Sequence, residues 1–403
     1  MKNVIVAGAG PAGLTAALYA ARNGCKVRLL DSNGVAGKKL NITGKGRCNV
    51  TNDCDPDTFM ANVPRNGRFL YSAFSAYPPR EVMRFFESRG VPLSVERGRR
   101  VFPQSGRARN ITDALTGALA ERGVRVEHGK VTSLWLEDGV LRGAAAGGRR
   151  IPADAVIAAT GGLSYPLTGS DGSGYALARQ AGHTVTPTEG VLTPLESPDA
   201  FCAELAGLSL KNVTLSLISP EGKRIWREGP GEMLFTHTGL SGPLVLTASS
   251  YWKPGLHAQI DLKPGLDERQ LDARVLRDLS ERSAQEMGNA ARGLLPKSLV
   301  PVALAMSGID TGTRAGAVTR GGRKALTGVL KAMPVRIGGK APIAEAIITR
   351  GGVDVREVNP GTMESKRLKG LYFAGELLDV DAHTGGFNLQ IAFCTGFAAG
   401  IDQ

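Results

Sequence analysis

Residues 3–31 carry the pattern that most restricts what this chain can fold into. Val4-Ile5-Val6 is an uninterrupted apolar run, as expected of a strand buried on both faces. Gly8-Ala9-Gly10-Pro11-Ala12-Gly13 comes directly after it. Leu14, Ala17, Leu18 and Ala21 then recur at helical spacing up to Gly24, a natural helix stop. Val27-Arg28-Leu29-Leu30 reads as a second strand and ends on Asp31. In such a strand–turn–helix setting Gly8 permits the tight turn, Gly10 lets the backbone approach a pyrophosphate, and Gly13 lets helix and strand pack closely. Pro11 and Ala12 open a helix whose N-terminus favours an anion. Asp31, 18 positions beyond Gly13, is placed to grip a ribose, with Ser32 next to it. The pattern predicts a Rossmann-type unit that holds a dinucleotide. The competing reading is an ordinary βαβ turn in which Asp31 merely caps a strand.

The stretch after Asp31 favours FAD over NAD. A regular second βαβ unit is missing, and the chain runs instead through residues 37–52, dense in small residues, amides and cations. Lys38, Lys39, Thr43, Gly44, Arg47, Cys48 and Asn49 are the candidates there for wrapping an extended, phosphate-containing ligand. Ile42 and Val50 anchor the run and argue against a merely solvated basic loop.

Beyond it, Val82, Phe85 and Phe86 mark one helix and Ile111, Leu115 and Leu119 another. Asp138-Gly139 and Gly147-Gly148 signal hairpins, and Ala155–Ala159 is a strand entering Thr160-Gly161-Gly162. Thr168 to Tyr175 is a further Gly-rich run. No strand feeds it and no acidic residue comes after it in register, so it is expected to pack on the nucleotide domain rather than bind NAD(P)H phosphates. Residues 191–264 look mostly β and 267–331 helical. Leu371-Tyr372-Phe373 forms a last strand before a helix over about 388–399.

Composition narrows the class. No window offers the roughly 18 apolar residues of a membrane span. Val4–Ala21 could pass for a secretory signal, but its glycines and Pro11 interrupt it, so a cytoplasmic protein is expected. The 5 cysteines are odd in number and lack CxxC spacing, which argues against a disulfide framework or a metal site. The formal charge of +12 suits nucleic acid, or equally an anionic cofactor and substrate. Its densest run, Arg97, Arg99, Arg100, Arg107 and Arg109, lacks a series of interleaved aromatic stacking residues, holding Phe102 alone, and the other cations are scattered. A small molecule, anionic and apolar, is therefore expected as partner rather than nucleic acid or membrane.

Several runs together resemble the bacterial flavoproteins of the HI0933-like family. They are the 37–52 loop, Gly231 to Pro243, Gly351-Gly352-Val353, Gly375 to Asp381 and Thr384 to Gln390. The resemblance spans residues 3 to about 400. It implies an α/β fold with a glutathione-reductase-like FAD domain (1–190 and 345–403), an inserted β-rich domain (191–265 and 334–344) and a small helical domain (266–333). It further implies that Val131 meets the adenine, that Thr160 and Gly161 close over the adenosine, and that Gly375 and Glu376 belong to the flavin site. Gly386, Phe387, Asn388, Leu389 and Gln390 would open a helix facing the flavin ring. Members often carry Tyr where Phe387 stands, so a hydroxyl role is not expected there.

A flavin reaction moves a hydride and needs a proton carrier. His383 is preferred, with His237 and Tyr165 as alternatives. Family members include a reductase of 3-oxo-4,6-diene bile acids and an aminoacetone oxidase. The leading expectation is NADH- or NADPH-supplied reduction of a conjugated C=C bond in a 3-oxo steroid or bile-acid-like substrate. An oxygen-using amine oxidase and a flavin-dependent nucleic-acid-modifying protein are the alternatives.

Overall fold

The computed structural model describes residues 1–403. The chain divides into two compact units, Met1–Gly190 with Ile343–Gln403, and Val191–Pro342.

The first unit is built on the strand β1 (Asn3–Ala7), whose Val4, Ile5 and Val6 are fully buried. Beside it lies β2 (Lys26–Asp31), and the small strands β3 (Thr51–Asn52), β4 (Leu93–Glu96) and β5 (Arg100–Pro103) form a separate antiparallel sheet in the order β3-β5-β4. After β6 (Val126–His128) come β7 (Val131–Glu137), β8 (Val140–Ala146) and β9 (Arg149–Pro152), a meander turning at both expected pairs. Asp138-Gly139 and Gly147-Gly148 all take positive φ, the twist-matched geometry of two-residue hairpins. With β10 (Ala155–Ala158) and the strand Leu371–Phe373, β1, β2 and β6 complete a five-stranded parallel sheet. Val4 to Ala21 thus divides between a strand and a helix.

Close backbone packing fixes this unit. A Cβ on Gly8 (φ +102°) would stand 2.4 Å from the Ala159 carbonyl oxygen, and one on Gly13 would stand 1.9 Å from that of Gly8. The helix Pro11–Arg22 packs against the last helix, Phe387–Ile401, with backbone close to backbone at two glycines of the latter. Cβ atoms on Gly396 and Gly400 would lie 2.3 Å and 2.4 Å from the carbonyl oxygens of Ala12 and Ala16.

The second unit is a seven-stranded antiparallel sheet covered by helices, among them Glu268–Glu281, Leu299–Met306 and Arg320–Lys331. Asp267 and Gln270 form a capping box at the first of these. Leu271 and Val275 from the helices share one buried cluster with Leu215 and Ile260 from the sheet. The β-rich and helical stretches are two layers of a single core, because a narrow apolar stripe encloses nothing until it meets a sheet.

Two glycines give opposite expectations. Gly396→Val should lower stability by roughly 1–3 kcal/mol or more through overpacking. Gly117 sits mid-helix in Arg109–Ala120 with open space at its Cβ position, so Gly117→Ala should raise stability by about 0.5–1 kcal/mol. Thermal unfolding of both variants checks the signs.

Candidate flavin site

The nucleotide end is assembled at the carboxyl edge of the parallel sheet. A small cavity is lined by Gly8, Asp31, Ser32, Lys130, Val131 and Thr160, together with Gly169 and Ser173 from the later Gly-rich run. That run packs here through Asn33 Nδ2, which donates to the Thr168 carbonyl at 2.9 Å, and through the Lys130–Asp171 ion pair. The Asp31 carboxylate is held by the backbone, accepting from the Ala9 and Asn33 N–H groups at 2.8 Å each. It therefore shapes the glycine turn as well as facing the cavity. Gly10, the N-cap of Pro11–Arg22, has no protein atom within 4 Å of a Cβ position. Protein packing does not demand a glycine there, whereas a pyrophosphate against the helix N-terminus would.

The end expected to take the flavin ring is the start of the last helix. Gly386 (φ +101°) has no room for a side chain, since a Cβ would meet the Thr51 carbonyl oxygen at 2.3 Å. The helix behind it has no capping side chain and opens on the amides of Phe387, Asn388 and Leu389. The side chains expected there from the sequence serve the scaffold. Phe387 is buried against Phe59. Asn388 exchanges hydrogen bonds with the Ala382 backbone. Gln390 accepts from Thr51 Oγ1 and donates to the Tyr77 carbonyl, both at 2.7 Å. This end can contribute backbone and dipole rather than those side chains.

Between the ends sits a polar cluster that the sequence reveals only in part. Lys39 Nζ reaches Glu376 Oε2 at 2.5 Å and Ser164 Oγ at 2.6 Å. Glu376 Oε1 accepts from Ser164 Oγ and the Thr349 N–H. Ser164 and Thr349 carry no local motif; the available signal is a glutamate after a Gly turn, which needs a cation and donors. Gly375 (φ +72°) lies against Ala12, joining this cluster to the pyrophosphate turn.

The 37–52 loop behaves unevenly. Thr43 Oγ1 bonds back to the Leu40 carbonyl, and Gly44 has positive φ. Lys38 reaches Asn33 and Gly161 lies against Ser170. Cys48 is fully buried, and burial pushes its thiol up to about 12, so it is inert packing. Arg47 pairs with Glu96 and stacks over the Phe102 ring, 4.3 Å from its centroid. Two buried acceptors, Asn49 Oδ1 and Thr160 Oγ1, have no partner in the protein. Each would cost about 1–3 kcal/mol if left unsatisfied. They stand at the two ends of the site, as a ligand spanning both would require.

Of the proton-carrier candidates, His383 is in this unit, with Nδ1 3.2 Å from Asn62 Oδ1 and its N–H on the Asn62 carbonyl. Its loop is pinned by two bidentate pairs, Arg65–Asp379 and Arg350–Asp381, with both carboxylates buried. Burial lowers the His383 pKa below its ordinary value, against the pull of Asp381. Tyr165 is in this unit with φ +52°, its carbonyl capping Thr168. His237 is exposed at a hairpin turn of the other unit.

The chain is similar to known proteins along nearly its whole length. Residues 2–402 match the HI0933-like protein Rossmann domain family. The chain is 33% identical to a 3-dehydro-bile acid delta(4,6)-reductase of Clostridium scindens, covering 99% of this chain and 98% of that protein. It is 31% identical to a ribosomal RNA dihydrouridine synthase of Escherichia coli, covering 99% and 97%. Among solved structures, the 3-ketosteroid-delta4-(5alpha)-dehydrogenase of Rhodococcus jostii RHA1 shares the fold, with a TM-score of 0.52 at 16% identity over 99% of this chain and 97% of that one. Matched by the family model from residue 2 to residue 402 and carrying a glycine turn and a second helix N-terminus that suit the cofactor, the chain belongs to the HI0933-like family and is a FAD-dependent oxidoreductase.

Proposed function

We propose that this chain reduces a C=C bond conjugated to a carbonyl, drawing electrons from NADPH or NADH. One observation carries the reading: two relatives matched over nearly their whole length are named for reductions that share this bond type. The Δ4 bond of a 3-oxo steroid is conjugated to its C3 carbonyl, and the 5,6 bond of uracil to its C4 carbonyl. FAD bound here and reduced by the nicotinamide would supply a hydride for the β-carbon of such a bond, returning to its oxidised form. The amides of Phe387, Asn388 and Leu389 and the dipole behind them favour negative charge at the helix mouth. His383, oriented by Asn62 and by the pinned loop, holds the proton destined for the α-carbon. Glu376, locked by Lys39, Ser164 and Thr349, orients rather than reacts.

Of the two carriers of that bond, we favour a uracil base in a structured RNA. The +12 charge supports it, as does the clustering of arginines on the β3-β5-β4 face. The 3-oxo steroid expected from the sequence is the second reading, supported by the 33%-identical relative.

The cofactor site is tested by two substitutions. Gly10→Val should give a folded protein without flavin, because the protein leaves open space at its Cβ position and a bound pyrophosphate would need that space. Asp31→Ala should weaken FAD by roughly 1–3 kcal/mol through the loosened glycine turn. Flavin absorbance after gel filtration, beside far-UV circular dichroism, separates the two effects; Gly10→Val with full FAD would overturn the assignment.

Anaerobic stopped-flow absorbance tests the chemistry. NADPH or NADH should bleach the flavin, and unmodified ribosomal RNA or a 3-oxo-4-ene steroid should restore it. Bleaching by a small amine, reoxidation by oxygen and no response to either nicotinamide would favour an amine oxidase.

The proton carrier has its own signature. Since burial depresses the His383 pKa, its protonated form is lost as pH rises through a range below that of an ordinary histidine. The rate of flavin reoxidation by the acceptor should fall across that range. His383→Asn should remove the pH-dependent limb while leaving flavin content unchanged.

A further inference from the structure

We infer that the antiparallel sheet β3-β5-β4 and the loops packed on it form a docking surface for the phosphate backbone of a structured RNA. This rests on the reductase reading and names how its favoured substrate is held. In sequence the cations are spread over some sixty positions. In the fold the Ala108 N–H donates to the Gly46 carbonyl at 2.8 Å, bringing Arg107 and Arg109 to the loop of Lys45 and Arg47. Asp53 N–H donates to the Arg99 carbonyl, and Val50 N–H to that of Val101, so the Arg97–Arg100 turn joins the same face. All seven cations are exposed.

An ordinary solvated face would alternate sign and pair its charges. Here Arg47, Arg99 and Arg109 meet Glu96, Asp55 and Asp113. Lys45, Arg97, Arg100 and Arg107 have no carboxylate within 4.0 Å. The guanidinium groups of Arg47 and Arg100 both lie over the Phe102 ring, at 4.3 Å and 5.9 Å from its centroid. That ring is itself buried, so it works as a platform fixing planar groups that suit phosphate. Lys45 and Arg99 also hold left-handed backbone, both at φ +58°, a conformation costly for such residues.

The surface is tied to the flavin site. Asn52 Nδ2 donates to the Gly98 carbonyl and to the Gly385 carbonyl, both at 2.9 Å. One amide therefore bridges the arginine turn and the Gly385-Gly386 turn at the ring end. RNA held by its phosphates here has its bases beside the reaction site, whereas a free steroid gains nothing from the array.

The test compares two triple variants of equal charge: Arg97→Ala with Arg100→Ala and Arg107→Ala, and, as reference, Arg142→Ala with Arg149→Ala and Arg150→Ala. Binding of in vitro transcribed ribosomal RNA is followed by fluorescence anisotropy across a salt series. The first triple should lose on the order of 10–100-fold in affinity at about 0.1 M salt, with a log–log salt slope shallower by roughly 2–3. It should keep its flavin and its NADPH-driven reduction of any soluble 3-oxo-4-ene acceptor the wild type accepts. The reference triple should bind like wild type, and Arg97→Glu alone should reproduce the direction should the triple fold poorly. Equal losses in both triples, or binding to phosphatidylserine vesicles but not RNA, would overturn the docking surface. Steroid reduction without RNA binding sinks this inference alone. RNA bound through the patch, with both uracil and steroid left unreduced, sinks the reductase reading and leaves the surface standing.

Discussion

Everything at the flavin site depends on two helices that touch backbone to backbone. Gly396 meets Ala12 and Gly400 meets Ala16, a matched four-residue step, so Pro11–Arg22 and Phe387–Ile401 run in the same direction. Both come after strands of one parallel sheet, and both begin at its carboxyl edge. The last helix begins 9 residues ahead of Gly396, and the first begins 1 residue ahead of Ala12. At about 1.5 Å per residue, the last helix therefore starts roughly 12 Å beyond the first. Two positive helix ends, offset along one direction, make a site for a ligand with a pyrophosphate at one end and an electron-accepting ring at the other. A side chain at either glycine would part the helices and disturb both ends together.

Local signals carry far, and the reason is physical. The βαβ unit, both hairpins and the helices at Pro79–Ser88 and Arg109–Ala120 arise from patterns a few residues long. They are legible because turn chemistry and apolar period act at short range. Long-range pairing is not. The Lys39–Glu376 contact joins residues 337 positions apart, and Arg65–Asp379 joins residues 314 apart. Nothing in either neighbourhood names its partner. Gln390 shows the same limit, since its place in the family resemblance marks it for the cofactor while Thr51 and Tyr77 consume its amide.

The arginine run is the clearest case of meaning supplied by folding. Read linearly, it holds one aromatic residue and no stripe, which argues against nucleic acid. Phe102, within the run but separated from Arg47 by 55 positions, becomes the shared platform once β5 pairs with β3 and β4. Clustering of like charge has a cost that grows as the groups approach. The fold gathers them on a sheet and a left-handed loop despite that cost, and the proposed RNA docking would use the resulting positive field.

The reacting unit proposed here, a C=C beside a C=O, is small, flat and common to a steroid ring and a pyrimidine. Hydride delivery needs only a ring stacked against it, a mouth that favours negative charge, and a proton carrier. In the proposed reading the first unit would meet these requirements with residues that need not recognise the rest of the substrate. Selectivity must then come from contacts remote from the bond being reduced, where binding energy is turned into orientation. That separation explains how relatives of near-equal identity to this chain can be named for a bile acid and for ribosomal RNA. In the proposed reading the β3-β5-β4 sheet is one such remote surface, outside the glycine contacts that bring the two helices together.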